Sequence, residues 1–131
     1  MNTQKRIAAA VCFAGLLAAA ATVAQAPGIK RTLLQRVDIG NNMEVITAVA
    51  EIAPGSGSGR HSHPGTETGY VISGTSVLEI DGEPAKTLNA GDSYVTPNGK
   101  IHNAKAIGDA PAKVLAIYIV EKGKPLSTPA P

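Results

Sequence analysis

Turn-forming residues interrupt this chain so often that no helix of useful length fits beyond residue 26. Between the interruptions lie short runs rich in β-branched residues, many alternating apolar with polar, which is the pattern of half-buried strands. Expected strands cover residues 32–37 and 43–53 on either side of Gly40-Asn41-Asn42, and then the short segment 60–63. Residues 70–73 and 75–80 hinge at Gly74, and Asp81-Gly82 is a two-residue hairpin signal leading to 85–88. Residues 93–96, 101–106 and 112–120 complete the set, separated by Pro97-Asn98-Gly99 and Gly108-Asp109. Gly74, Gly91 and Gly99 sit at turns that call for positive φ or a close backbone approach. Many short strands with Gly and Pro turns imply an all-β sandwich or barrel.

The first 26 residues have a different character. Lys5-Arg6 precede an apolar, Ala-rich stretch that ends in Ala24-Gln25-Ala26, which is the layout of a secretory signal peptide. Cleavage is expected after Ala24 or Ala26, and a periplasmic or secreted location follows from it. Residues 27–121 then form one domain, since the 105 residues left after residue 26 are too few for two. Residues 122–131, with Pro125, Pro129 and Pro131, read as a flexible Pro-rich tail. Lys5 and Arg6 account for two of the 12 basic residues, so the mature part balances ten basic against ten acidic groups. That neutrality argues against nucleic acid or another polyanion as partner. No membrane association is expected after signal cleavage. The only cysteine is Cys12, so the domain has neither a disulfide nor a thiolate ligand.

All three histidines stand where a metal site needs them. His61 and His63 are two apart, so on a strand they project to the same face. Glu67 follows the turn-forming Pro64-Gly65-Thr66 and can return to the same pocket on the next strand. His102 comes from a distant hairpin. Three imidazoles and a carboxylate suit a divalent ion, with coordination positions left for a small molecule. Tyr70, three residues after Glu67, falls on the opposite face by strict alternation, whereas parity does not place Tyr94 or Tyr118. Ser62, Thr66, Asp92 and Asn103 are the acceptors nearest in sequence for the second nitrogen of a ligating histidine.

At these residues the chain resembles the cupin superfamily, in particular its small single-domain bacterial members with a cupin type-2 domain. The first cupin motif, G-x5-H-x-H-x3-E-x6-G, is met from Gly55 to Gly74. The second, G-x5-P-x-G-x2-H-x3-N, is met from Gly91 to His102, but Ala106 replaces its final Asn and Asn103 stands beside His102 instead. The resemblance covers residues 33–120. It implies a conical jelly-roll β-barrel with the ligands inside and a homodimer. It assigns the ligand role to His61, His63, Glu67 and His102. Glu67 can also act as a base, a role thought to occur in some cupins.

The resemblance fixes no activity, since the same barrel hosts oxygenases, isomerases, lyases, binders and storage proteins. The expected cofactor is a divalent ion (Fe, Mn, Zn, Ni or Cu), because an all-N/O ligand set rejects no first-row metal strongly. The expected function is that of a metal-dependent enzyme of the cell envelope acting on a small organic molecule, by dioxygenase-like or redox-neutral Lewis-acid chemistry. The alternatives are a non-catalytic cupin that binds or senses a small ligand or a metal, and a structural protein that kept its ligands unused. With no arginine cluster in sight, a neutral, phenolic or enol-type molecule is the expected ligand.

Overall fold

The computed structural model of the chain describes residues 27–131, so the expected signal segment lies outside the described residues. The described chain is all β, and no helix in it is long and apolar enough to cross a membrane. Ten strands follow in order: β1 Ile29–Gly40, β2 Met43–Ile52, β3 His61–Ser62, β4 Gly65–Ser73, β5 Thr75–Ile80, β6 Lys86–Asn89, β7 Ser93–Thr96, β8 His102–Ile107, β9 Ala112–Glu121 and β10 Thr128–Pro129. They form two five-stranded antiparallel sheets, in the orders β1-β2-β9-β4-β7 and β10-β3-β8-β5-β6. This is the jelly-roll arrangement anticipated from the motifs.

Alternation builds the interior. In β2, Ile46, Ala48, Ala50 and Ile52 point inward, while Val45, Thr47 and Val49 point out. Their β9 partners in register are Tyr118, Ala116, Val114 and Ala112, so two inward rows coincide. The second sheet contributes Leu78, Ile80 and Ala106. Alanine is common along these rows, and its small side chain leaves space near the ligands that a wall of leucines would fill.

Turn chemistry sets the registers. Asn41 and Asn42 both take positive φ (51° and 59°) in the tight connection between β1 and β2. Gly74 joins β4 to β5 at φ 76°, and a Cβ there would lie 2.3 Å from the Pro111 carbonyl oxygen, so only glycine fits.

The strands differ from expectation chiefly in three places. β1 runs from Ile29 to Gly40 rather than over residues 32–37, because its pairing with β2 continues to both ends of the ladder. β4 begins at Gly65 rather than at residue 70, because Gly65 and Thr66 pair with Val120 and Ile119 instead of forming a turn. The C-terminal ten residues, expected as a flexible Pro-rich tail, are laid against the barrel. Thr128 and Pro129 pair with Ser62 and His61, and the Ala130 amide donates to the Arg60 carbonyl at 2.9 Å. Leu126 packs on the Ile46, Tyr118 and Val120 cluster. That apolar anchor and the strand pairing outweigh the turn-like composition of the segment.

Candidate metal centre

The four residues expected to ligate converge between the two sheets. His61 and His102 are direct cross-strand partners on β3 and β8 of one sheet. Glu67 projects inward from β4 of the other. His63 leaves the end of β3 and crosses the gap between them. All four are buried, with 3–5 % of their surface exposed. The ligating atoms of His61, His63 and His102 lie within 4.8 Å of one another.

Each imidazole is held by a backbone carbonyl. Nδ1 of His61 donates to Gly59 O (2.7 Å), that of His102 to Lys100 O (3.0 Å) and that of His63 to Leu126 O (2.5 Å). A carbonyl oxygen only accepts, so Nδ1 carries the proton in all three rings. In the neutral ring Nε2 is then a bare lone pair, the form that binds a metal. None of Ser62, Thr66, Asp92 or Asn103 orients a ligand ring. Asn103 instead accepts from Ser58 and donates to Glu79, and Asp92 takes the Asn89 amide. Two of the three carbonyls sit two residues before their histidine, and the third arrives with the C-terminal segment.

The Glu67 carboxylate is divided between two duties. Tyr94 donates its hydroxyl to Oε1 at 2.7 Å. Oε2 lies 2.9 Å from His63 Nε2 and 3.2 Å from His102 Nε2. His63 Nε2 is completely buried and makes no hydrogen bond. Two lone pairs facing one carboxylate oxygen at such range repel unless a cation, either protons or a metal ion, lies among them. Bonds of about 2.1 Å to a single ion place neighbouring donor atoms about 3.0 Å apart at right angles, and the separations of Glu67 from His63 and His102 match. The residues therefore fit a divalent metal. The electrostatics agree. Burial holds the His61 ring down at about 4, so it is neutral at pH 7. Burial alone would raise Glu67, but His102 and His63, when protonated, outweigh it and keep the carboxyl well below the usual carboxylate range, so protons on Nε2 stand in for the cation when no metal is bound.

Sequence reasoning missed three residues of this site. Tyr94 reaches Glu67 because its cross-strand partner is Gly69, where a Cβ would lie 2.4 Å from the Tyr94 ring. Tyr118 stands next to Glu67 across the β4–β9 ladder and sets its ring against His63, with centroids 4.8 Å apart. Burial raises the hydroxyls of both tyrosines above the ordinary phenol value. Arg31 of β1 lines the same cavity. The registers that bring these residues in depend on long-range pairing, which no local pattern encodes. Tyr70 does lie outside, half exposed, as its parity requires.

The cavity beside the ligands measures about 30 Å³. That is room for two or three waters or a few heavy atoms. Its remaining wall is formed by the apolar Ile29, Ala50, Ile52, Leu78, Ala104 and Val114, with the buried Ser58 among them.

Known proteins share this architecture. A rice (Oryza sativa subsp. japonica) germin-like protein 5-1 is 34 % identical over 83 residues, covering 60 % of this chain and 38 % of the rice protein. The chain thus spans less than half the length of that curated relative. Among solved structures, KdgF from a Halomonas species superposes with a TM-score of 0.61 at 23 % identity, covering 74 % of this chain and 84 % of that one. The DMSP lyase DddQ from Ruegeria pomeroyi superposes with a TM-score of 0.60 at 21 % identity, covering 66 % and 43 %. At these identities the two structures speak for the fold. The cupin domain model matches residues 48–118, a span that includes all four converging side chains, and the chain belongs to the cupin family.

Proposed function

We propose that this cupin is an enzyme of the cell envelope that acts on a small organic molecule at a divalent metal held by His61, His63, Glu67 and His102. One observation carries the reading. Two imidazoles whose Nδ1 protons are committed to carbonyls turn Nε2 onto the same carboxylate oxygen at 2.9 and 3.2 Å. Such an array has little use except to hold a cation. A divalent ion there supplies Lewis-acid polarisation, or electron transfer to dioxygen if it is redox-active. The chain's own residues do the rest. The carbonyls fix the tautomers, and Tyr94 holds one oxygen of Glu67 and so aims the other. The apolar wall limits the water around the reacting atoms. Glu67 would serve as a base on leaving the ion, since Tyr94 holds its Oε1 and its Oε2 faces the imidazoles. One neighbour in fold is named a DMSP lyase, so the fold is compatible with redox-neutral as well as dioxygenase-like chemistry.

Elemental analysis of protein isolated from its native compartment tests the site, followed by oxygen uptake and a substrate panel on the metal form found. Less than one divalent ion per two chains, with no binding on titration of zinc or manganese, would sink the proposal. The small cavity favours a second reading, a non-catalytic cupin that captures a metal or a small ligand. Full metal loading with no turnover across the panel selects it.

We also propose a homodimer. Tyr70, Ile72, Val95 and Ile119 are 39–57 % exposed on the outer face of the first sheet, next to the outward Val45 and Ile117. A second copy laid on this face would bury the apolar stripe. Light scattering that gives a monomer mass at micromolar concentration would reject it. The periplasmic or secreted location rests on residues 1–26 and is checked by fractionating cells that express the tagged chain.

A further inference from the structure

One buried hydroxyl beside the ligands takes no part in holding them. Tyr118 lies on the inward row of β9 with Val114, Ala116 and Val120, in register between Ile46 of β2 and Glu67 of β4. Its ring packs on His63, and it lines the cavity with His61, Glu67, Tyr94 and His102. A phenylalanine would fill the same volume without burying a polar atom, so the hydroxyl implies a use. Steering Glu67 is not that use, because Tyr94 takes Oε1 and Oε2 faces the imidazoles. The Arg31 side chain hydrogen bonds with the Tyr118 hydroxyl. A guanidinium has donors and no acceptor, so the phenol oxygen accepts and keeps its own hydrogen for another group. Further partners of Arg31 leave that direction unchanged. Ser58 in the same wall is occupied by the Ala104 amide and by Asn103. Among the described residues no acceptor takes the Tyr118 hydrogen.

We propose that Tyr118 is a ligand-binding residue of this cavity, donating its hydroxyl hydrogen to an anionic atom of a small molecule bound beside His61 and His102. A hydrogen bond to a charged acceptor is about twice as strong as one between neutral groups. A divalent ion beside the single carboxylate of the cavity, Glu67, also leaves net positive charge there. Both features favour a compact monoanion. The cavity volume of about 30 Å³ limits that anion to a few heavy atoms. The enol-type molecule expected from the sequence meets these conditions as its enolate, with the charged oxygen on the phenol hydrogen. The proposal rests on the metal-centre reading, and its test separates the two.

The test uses the protein loaded with cobalt(II), whose visible absorption reports changes in ligation. Azide, an anion of three heavy atoms, is titrated into the wild type and Tyr118→Phe, and the infrared stretch of the bound azide is recorded in each. Tyr118→Phe keeps the ring on His63 and removes only the donor. It is expected to weaken azide about tenfold or more, as the loss of a hydrogen bond to a charged group does. It is also expected to shift the azide stretch and to change cobalt affinity less than threefold. Azide affinity within threefold of the wild type, or an unshifted stretch, overturns the donor and leaves the metal centre standing. So does a cobalt-loaded wild type that binds no azide. A loss of cobalt affinity as large as the loss of azide affinity also overturns it, because Tyr118 would then only support the ligands. Failure of the wild type to load cobalt overturns the metal centre, and the donor with it. Should Tyr118→Phe not fold, 3-fluorotyrosine at position 118, a stronger donor of nearly equal size, takes its place. Tighter azide binding then supports the proposal, and unchanged binding overturns it.

Discussion

The Tyr94 hydroxyl donates to Oε1 of Glu67 at 2.7 Å while the ring of Tyr94 sits over Gly69, the residue two positions along the same strand from Glu67. One tyrosine thus fixes the direction of the carboxylate, and one missing side chain makes room for that tyrosine. The inward face of β4 reads Gly65, Glu67, Gly69, so the ligand stands between two positions without side chains. An acidic residue on a crowded inward row could not be aimed in this way.

Tyr94→Phe keeps the ring and removes the hydrogen bond. Metal affinity is expected to fall about 10- to 100-fold, as for other groups that orient a ligand, with a stability loss of about 1.5–3 kcal/mol for a hydrogen bond to a charged group. Competition titration against a chromophoric chelator measures the first effect and urea denaturation the second. Unchanged affinity would show that Glu67 needs no help from Tyr94.

Gly69→Ala places a Cβ 2.4 Å from a Tyr94 ring atom, and the ring must move. Overpacking of this kind costs about 1–3 kcal/mol. The same substitution is expected to lower metal affinity, because the hydroxyl leaves Glu67. Adding Tyr94→Phe to Gly69→Ala should then produce little further loss of affinity, the sign of two changes acting through one contact.

His61 sets the acid limit of the metal-free protein. Its folded value, held down at about 4 by burial, lies below the 6.5 of the unfolded chain. The unfolded state therefore binds the proton first as pH falls. Stability is full above pH 6.5 and is lost between there and pH 4, by up to about 3 kcal/mol. Urea midpoints of chelator-treated protein at pH 7.5 and pH 4.5 check this. His61→Leu should flatten the difference.

The C-terminal segment helps hold a ligand. Ending the chain after Lys124 removes the Leu126 carbonyl from His63 and the β10–β3 pairing beside His61. Metal affinity is expected to drop about tenfold or more. Near-UV circular dichroism should still report a folded barrel, because the other strand ladders are untouched. Wild-type affinity in the shortened protein would show that His63 is positioned by β3 alone.

Strand alternation, turn chemistry and histidine spacing sufficed for the all-β class, for strands such as Ser93–Thr96 and for picking out four side chains that converge. These properties repeat over two residues or sit in a short motif, so local backbone geometry carries them. The environment of the ligands needed the tertiary structure. Arg31, Tyr94 and Tyr118 enter the cavity through pairings with Ala50, Gly69 and Glu67 that lie 19, 25 and 51 residues away. The carbonyl that holds His63 comes from Leu126, in a segment whose composition reads as a turn-rich tail. Alternation tells which residues of a strand share a face. Only the register between strands, set by long-range packing, decides which faces meet around the four side chains.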